Sequence, residues 1–219
     1  MKPANPQRPT RILLAISSLS AGGAERVISE MANWWAVHER EVAVLTLRSL
    51  STDHYRLHPD VQRIRFELKL PRTRLHIPAD YIKQHFMLRN IILNHMPDVL
   101  ISFIDRTNIR MLFALAGTEV PLIVTERTDP RYHHIGISWS LVRRLMYPFS
   151  SALVVQTDSV TAWAKCVVPN ERIRVIPNFV RAISKHKDIK SEADQLQPFV
   201  LAVGRLGKEK GHDLLIRAF

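Results

Sequence analysis

The stretch Ile12–Arg26, ILLAISSLSAGGAER, reads as a buried strand, a turn of small residues and the first turn of a helix. Arg11 to Ser17 is a short apolar run, the first strand. Gly22 and Gly23 let the backbone come close to a ligand, and a helix starting there aims its free N–H groups at it. An α/β protein builds an anion or sugar-phosphate site in this way. Beyond the turn, Ala24, Val27, Ile28, Met31 and Trp35 fall on one helical stripe. Glu25, in the first turn, suits the positive end of the helix dipole. Val42 to Leu47 is a second apolar run. Strand, helix and strand with a right-handed crossover form the repeating unit of a doubly wound parallel sheet.

Working outward, residues 1–10 carry three prolines and no apolar core, so they read as a disordered lead-in rather than a signal peptide. Val61 to Leu68 alternates apolar and polar residues, as a half-exposed strand near an edge does. Helices are expected over Ala79–Met96, Thr107–Gly117 (Thr107 as N-cap) and Ser138–Tyr147, and another after Gln156 capped by Thr157 or Ser159. Strands are expected over Val99–Phe103, Leu122–Thr125, Ala152–Gln156 and Ile173–Ile176. Together, 11–180 reads as one α/β domain with a Rossmann-like, doubly wound, mostly parallel sheet. Residues 181–198 are polar and weakly patterned, a linker composition. Phe199 to Val203 then opens a new apolar strand, followed by GRLGKEKG and a helix from near His212. One strand and part of a helix do not bury a core alone, so 199–219 reads as the start of an incomplete second domain.

The formal charge of +11 over 219 residues points to nucleic acid, an anionic membrane surface or a phosphorylated small molecule. Nucleic acid is disfavoured, because no aromatic residues interleave the basic ones and no reader motif is present. The single cysteine, Cys166, rules out an internal disulfide framework and fits a reducing compartment. It falls in an apolar helical segment and reads as a small core residue. No run reaches the roughly 18–20 apolar residues that span a bilayer, so membrane contact is expected to be peripheral. The dinucleotide fingerprint fails: the turn is S-A-G-G-A-E and the second strand ends at Leu47-Arg48 with no acidic residue. GRLGKEKG lacks the Lys-Ser/Thr pair of a phosphate loop, and no G-x-S-x-G elbow occurs. The pair His133-His134 has no carboxylate or cysteine at metal-ligand spacing and reads as structural or solvated.

Four motifs occur in a telling order: SAGGAERV at Ser20–Val27, TERTDP at Thr125–Pro130, VIPNF at Val175–Phe179, and LAVGRLGKEKGHDLLIRAF at Leu201–Phe219. In content and spacing they resemble glycosyltransferase family 4, and TERTDP is similar to the version in bacterial polysaccharide and lipid-linked oligosaccharide transferases. The resemblance covers Arg11 to Phe219. It implies a GT-B architecture, with two Rossmann-like domains facing across a cleft. The first holds the acceptor and the second a sugar nucleotide.

By that resemblance, Gly22 and Gly23 lie against the donor diphosphate and transferred sugar, and Arg205 and Lys210 hold the leaving diphosphate. Fixed cations there stabilise the charge that develops on the leaving group. Glu126 and Arg127 stand where many relatives place a histidine, and are the catalytic candidates: Glu126 to orient an acceptor hydroxyl, Arg127 to pair with a phosphate. The alternative is that both bridge neighbours within a packed loop. Asn178 shapes the hinge.

The basic stretch Arg63 to Arg89 is expected to dock on anionic lipid at the inner face of the cytoplasmic membrane, with a solvated face as the alternative. The partners implied are a sugar nucleotide donor and a glycan or polyprenyl-linked acceptor. No metal or other cofactor is expected. The activity implied is retaining transfer of a hexose or N-acetylhexosamine in surface-glycan synthesis. A truncated, inactive Rossmann-like binding module is the alternative.

Overall fold

A computed structural model describes residues 8–48, 53–68, 77–180, 200–204, 206–207 and 210–219. The chain divides into Met1–Phe179 and Val180–Phe219. In the first unit the order is β1 (Arg11–Ile16), α1 (Gly23–Val37), β2 (Glu41–Thr46), β3 (Gln62–Arg65), α2 (Ile77–Asn94), β4 (Val99–Phe103) and α3 (Asp105–Ala114). Then come β5 (Leu122–Thr125), α4 (Ile137–Met146), β6 (Ala152–Val155), α5 (Thr161–Ala164) and β7 (Ile173–Val175). The seven strands pair in the order β3-β2-β1-β4-β5-β6-β7, and every pairing is parallel. The doubly wound reading holds, and the described sheet is wholly parallel.

Alternation along β1 explains the two layers. Leu13 and Ala15 pack into one core with residues of α2, α3 and α5, and Ile12, Leu14 and Ile16 pack into a second core with Val27, Ile28 and Ala32 of α1. Each such buried aliphatic side chain contributes roughly 1.5–3 kcal/mol. A one-residue slip of β1 would exchange its two sets of side chains between the cores. The continuous apolar run in the sequence is therefore the mark of a two-sided strand.

Each edge strand carries an arginine bonded to backbone carbonyls. On β3, Arg63 donates from Nη1 to the Ile64 carbonyl at 2.7 Å and the Val44 carbonyl at 3.3 Å, and from Nη2 to Thr46 Oγ1 at 2.8 Å. On β7, Arg174 Nη1 donates to the Glu171 and Ile173 carbonyls at 2.7 and 2.8 Å.

Three expectations are corrected. The helix after β4 starts at Asp105, so Thr107 is buried inside it and is not the N-cap. Ile104 takes the cap position at φ 74°, a left-handed backbone that a β-branched residue rarely adopts. Cys166 is exposed, not a core residue. The helix ends at Ala164, and in the turn beyond it Val167 and Val168 take the buried positions.

In the second unit, Val200–Val203 forms no strand, and Phe199 and Arg205 lie outside the described residues. A parallel strand needs a hydrogen-bonded neighbour, and no described residue of this unit is in a strand. The helix expected near His212 is present as α6 (His212–Ala218).

Candidate functional site

In an open parallel sheet, ligands bind beyond the carboxyl ends of the strands, where the strand order reverses. Here the reversal falls between β1 and β4. Ser17–Gly22 leave β1 at this edge, Ile104–Asp105 leave β4, Glu126–Arg127 leave β5, Gln156 leaves β6, and Asn178 lies just past β7. The candidates Gly22–Gly23 and Glu126–Arg127 thus share one edge, following strands that have β4 between them and so lie about 10 Å apart. Lys210 lies in the second unit, which is described by itself. Arg205 is outside the described residues.

The two glycines differ. Gly22 is the extended N-cap of α1, at φ −151°, and its carbonyl accepts from the Arg26 N–H at 3.0 Å and from the Tyr55 hydroxyl at 3.1 Å. A Cβ added there would meet the Glu25 carboxylate at 2.2 Å, the movable end of a flexible side chain. Ser20 Oγ donates to that carboxylate at 3.3 Å. Gly23 has no atom within 4 Å of where its Cβ would lie, and neither glycine has a positive φ. No backbone strain and no protein neighbour requires glycine at 23. What its missing side chain leaves is open space at a helix N-terminus.

Glu126 points inward. It is 3% exposed and accepts a short hydrogen bond from the Tyr147 hydroxyl. Asn108 Nδ2 donates to the Tyr147 oxygen at 3.0 Å and to the Thr125 carbonyl at 3.0 Å, and Ser102 Oγ donates to Asn108 Oδ1 at 2.7 Å. Arg143 Nη1 lies 3.7 Å from Glu126 Oε1, and its guanidinium stacks 4.9 Å from the Trp163 ring centroid. Burial pushes the Glu126 carboxyl up to about 7, against the pull of Tyr147 and Arg143. This network locks the end of β5 to α3 and α4.

Arg127 turns the other way. Nη1 donates to Asn178 Oδ1 at 2.9 Å, the guanidinium sits 4.5 Å from the Phe103 ring centroid, and Nε is buried with no partner. Gln156 Nε2 also donates to Asn178 Oδ1, at 2.7 Å. Burial alone lowers the Arg127 pKa to about 10. Among the described residues no carboxylate pairs with it. A half-buried cation lacking a counter-charge is a seat for an anion from outside the chain.

Between these groups, His133 Nε2 lies 3.2 Å from Asp105 Oδ2. Asp105 is 4% exposed, and its Oδ1 accepts from the Arg106 N–H. His133 thus has a carboxylate neighbour that sequence spacing does not reveal. The sequence also singles out none of Tyr147, Asn108 and Arg143. A polar residue on the apolar stripe of α3 or α4 is the one signal they carry.

Of the basic stretch, Arg63 and Arg65 pair with Asp53 at 2.8 and 2.9 Å, and Arg89 donates to the Ala114 and Ala116 carbonyls at 2.8 Å each. Lys69, Arg72 and Arg74 lie outside the described residues. No helix among the described residues is long and apolar enough to cross a membrane.

A wholly parallel, doubly wound domain with a glycine pair at its switch point is the Rossmann-like architecture of GT-B glycosyltransferases. The sequence model of Glycosyltransferase Family 4 matches residues 21–182, and the chain belongs to that family. It is 31% identical over 209 residues to the GalNAc-alpha-(1->4)-GalNAc-alpha-(1->3)-diNAcBac-PP-undecaprenol alpha-1,4-N-acetyl-D-galactosaminyltransferase of Campylobacter jejuni. That match covers 95% of this chain and 56% of the relative, so the chain spans little more than half the relative's length. Among solved structures, sucrose-phosphate synthase from Thermosynechococcus elongatus aligns with a TM-score of 0.59 at 13% identity, covering 77% of this chain and 48% of that one. Anabaena HepE in complex with UDP and glucose aligns at 0.54 and 15%, covering 77% and 44%. At those identities the likeness is one of fold.

Proposed function

We propose that this chain is the acceptor-side portion of a retaining glycosyltransferase. It moves a hexose or N-acetylhexosamine from a sugar nucleotide to a glycan or polyprenyl-linked acceptor in surface-glycan synthesis. The place of work is the inner face of the cytoplasmic membrane. The observation that carries the reading is Gly23: a glycine with no structural need, open at a helix N-terminus on the switch-point edge. The UDP named with HepE and the diphosphate-linked acceptor named with the C. jejuni relative are in keeping with these substrate classes.

Gly22 and Gly23 form the side-chain-free floor on which the transferred sugar lies, and Glu25 accepts from a sugar hydroxyl. Arg127 meets a phosphate oxygen, and by the family resemblance Arg205 and Lys210 hold the leaving diphosphate. These cations act most strongly in the transition state, where the diphosphate carries its full leaving-group charge. Retention follows from attack on the face the diphosphate leaves. The bond from C1 to phosphate oxygen breaks, the acceptor oxygen bonds to C1, and its proton passes to the departing phosphate oxygen. Glu126 does not contact substrate; through its buried bonds to Tyr147 it positions Arg127.

The test is transfer from a UDP-linked N-acetylhexosamine to a diphosphate-linked acceptor, by a protein joining this chain to a donor-binding portion, with NMR of the product anomer. An inverted product would sink the retaining reading. Inactivity of the chain alone is the second reading, favoured by its covering 56% of the relative. Turnover by the isolated chain would overturn it.

A further inference from the structure

Three basic residues that the sequence does not single out also stand without a counter-charge. Arg48, just past β2, and Arg106 and Arg110, one turn apart on α3, form no ion pair among the described residues. The Arg106 and Arg110 guanidinium carbons lie 5.5 and 5.4 Å from the centroid of one ring, Trp139 of α4. Arg106 has only a long contact to the Ile135 carbonyl, at 3.4 Å. The Arg110 pKa is lowered, first by burial and also by the Arg106 and Arg48 charges, with Tyr81 and Asp105 acting in opposition. Like charges held round one ring are stabilised when an anion enters among them.

Against this cluster lies a cavity of about 260 Å³ between α2, α3 and α4. Leu68, Leu88, Phe113 and Trp139 give it a largely apolar wall, with Gln84, His85 and Arg110 as its polar members. Phosphate binding alone has no use for a largely apolar hollow, and an apolar ligand has no use for the arginines beside it. The two features side by side fit one molecule with a multiply charged phosphate group joined directly to a hydrocarbon chain. A sugar nucleotide has no such chain.

We propose that Arg48, Arg106 and Arg110 seat the diphosphate of a polyprenyl-diphosphate-linked acceptor, with the first isoprene units in the cavity beside Trp139. The seat rests on the glycosyltransferase reading above, and it leaves Arg63, Arg65, Lys83 and Arg89 of the basic stretch without a part in it. Trp139 holds the two α3 guanidiniums in place through its ring face. The arginines present paired N–H donors to the phosphate oxygens.

The test is binding of soluble probes to the chain by calorimetry, which needs no turnover and so stands apart from any failure of transfer. Farnesyl diphosphate is expected to bind more tightly than inorganic pyrophosphate, and farnesol not measurably. Arg106→Gln and Arg48→Gln, both at exposed side chains, are each expected to weaken farnesyl diphosphate by about tenfold. Lys83→Gln on α2 is expected to leave it unchanged. Trp139→Leu is expected to weaken both diphosphates. Equal binding of pyrophosphate and farnesyl diphosphate would overturn the seat, as would an unchanged affinity in both arginine variants. Arginine-dependent binding to phosphatidylglycerol vesicles that farnesyl diphosphate does not displace would assign the cluster to bulk lipid and overturn it too.

Discussion

Substituting Gly23 by alanine separates what the fold needs from what the ligand needs. The added methyl meets no atom within 4 Å, and the residue is not in the left-handed region. Native-state crowding is therefore absent. The gain comes from the unfolded chain, where alanine has fewer conformations to lose, and is about 0.4–1 kcal/mol. For a domain of this size that raises Tm by roughly 1–4 °C. Gly22→Ala differs: the same gain is offset by displacement of the Glu25 carboxylate and loss of its 3.3 Å bond from Ser20, so its net effect is near zero. If Gly23 is the floor under the transferred sugar, the methyl stands where the sugar must lie. Transfer then falls by about a hundredfold in kcat/KM, on the order of 3 kcal/mol of transition-state contact. The assays are thermal unfolding of the chain and transfer by a protein that includes the donor-binding portion. A Gly23→Ala chain that is less stable than the parent, or that transfers at the parental rate, refutes the reasoning.

Further outcomes follow from the buried charges and the thiol. The Glu126 carboxyl is raised from 4.5 to about 7 in the folded state, so the native state holds its proton more tightly. The resulting stability is full below pH 4.5 and is lost as pH rises toward 7, by about 3 kcal/mol. Glu126→Gln still accepts from Tyr147, and thermal melts across pH 4.5–7 should lack that decline; parallel profiles would sink the assignment. Arg127→Met removes a half-buried cation without a counter-ion, and is expected to stabilise the chain by about 1 kcal/mol while lowering transfer at least about tenfold. A destabilised, fully active variant would contradict it. Because Cys166 is exposed, a thiol reagent should modify the native chain at one site per chain; protection until unfolding would contradict the fold.

Strand and helix positions were legible where one rule acts locally. The apolar runs of β1, β2 and β4 announce strands covered on both faces, and the α1 stripe from Ala24 to Trp35 announces one packed face. The Thr107 cap failed because the strained Ile104 starts the helix two residues earlier, a choice made by the tertiary fold. Cys166 failed because the helical stripe runs on in the sequence after the hydrogen bonds stop at Ala164. At the site, glycines and an arginine after a strand can be read directly. The pairing of His133 with Asp105, and the gathering of Arg48, Arg106 and Arg110, depend on loops from three strands meeting at one sheet edge. Nothing in residue spacing carries that information.

The arginine at β7 bears on how this chain reaches its fold. A wholly parallel sheet is assembled from contacts far apart in sequence, so loops must close before pairing is rewarded, and folding of such sheets is slow. While assembly proceeds, an outer strand is a template on which another chain can add. With Arg174 on β7 holding the outward carbonyl of Ile173, a strand arriving at that edge meets an occupied acceptor and a positive charge. Replacing Arg174 with leucine should therefore show itself less in the melting temperature than in the yield of refolding at high protein concentration.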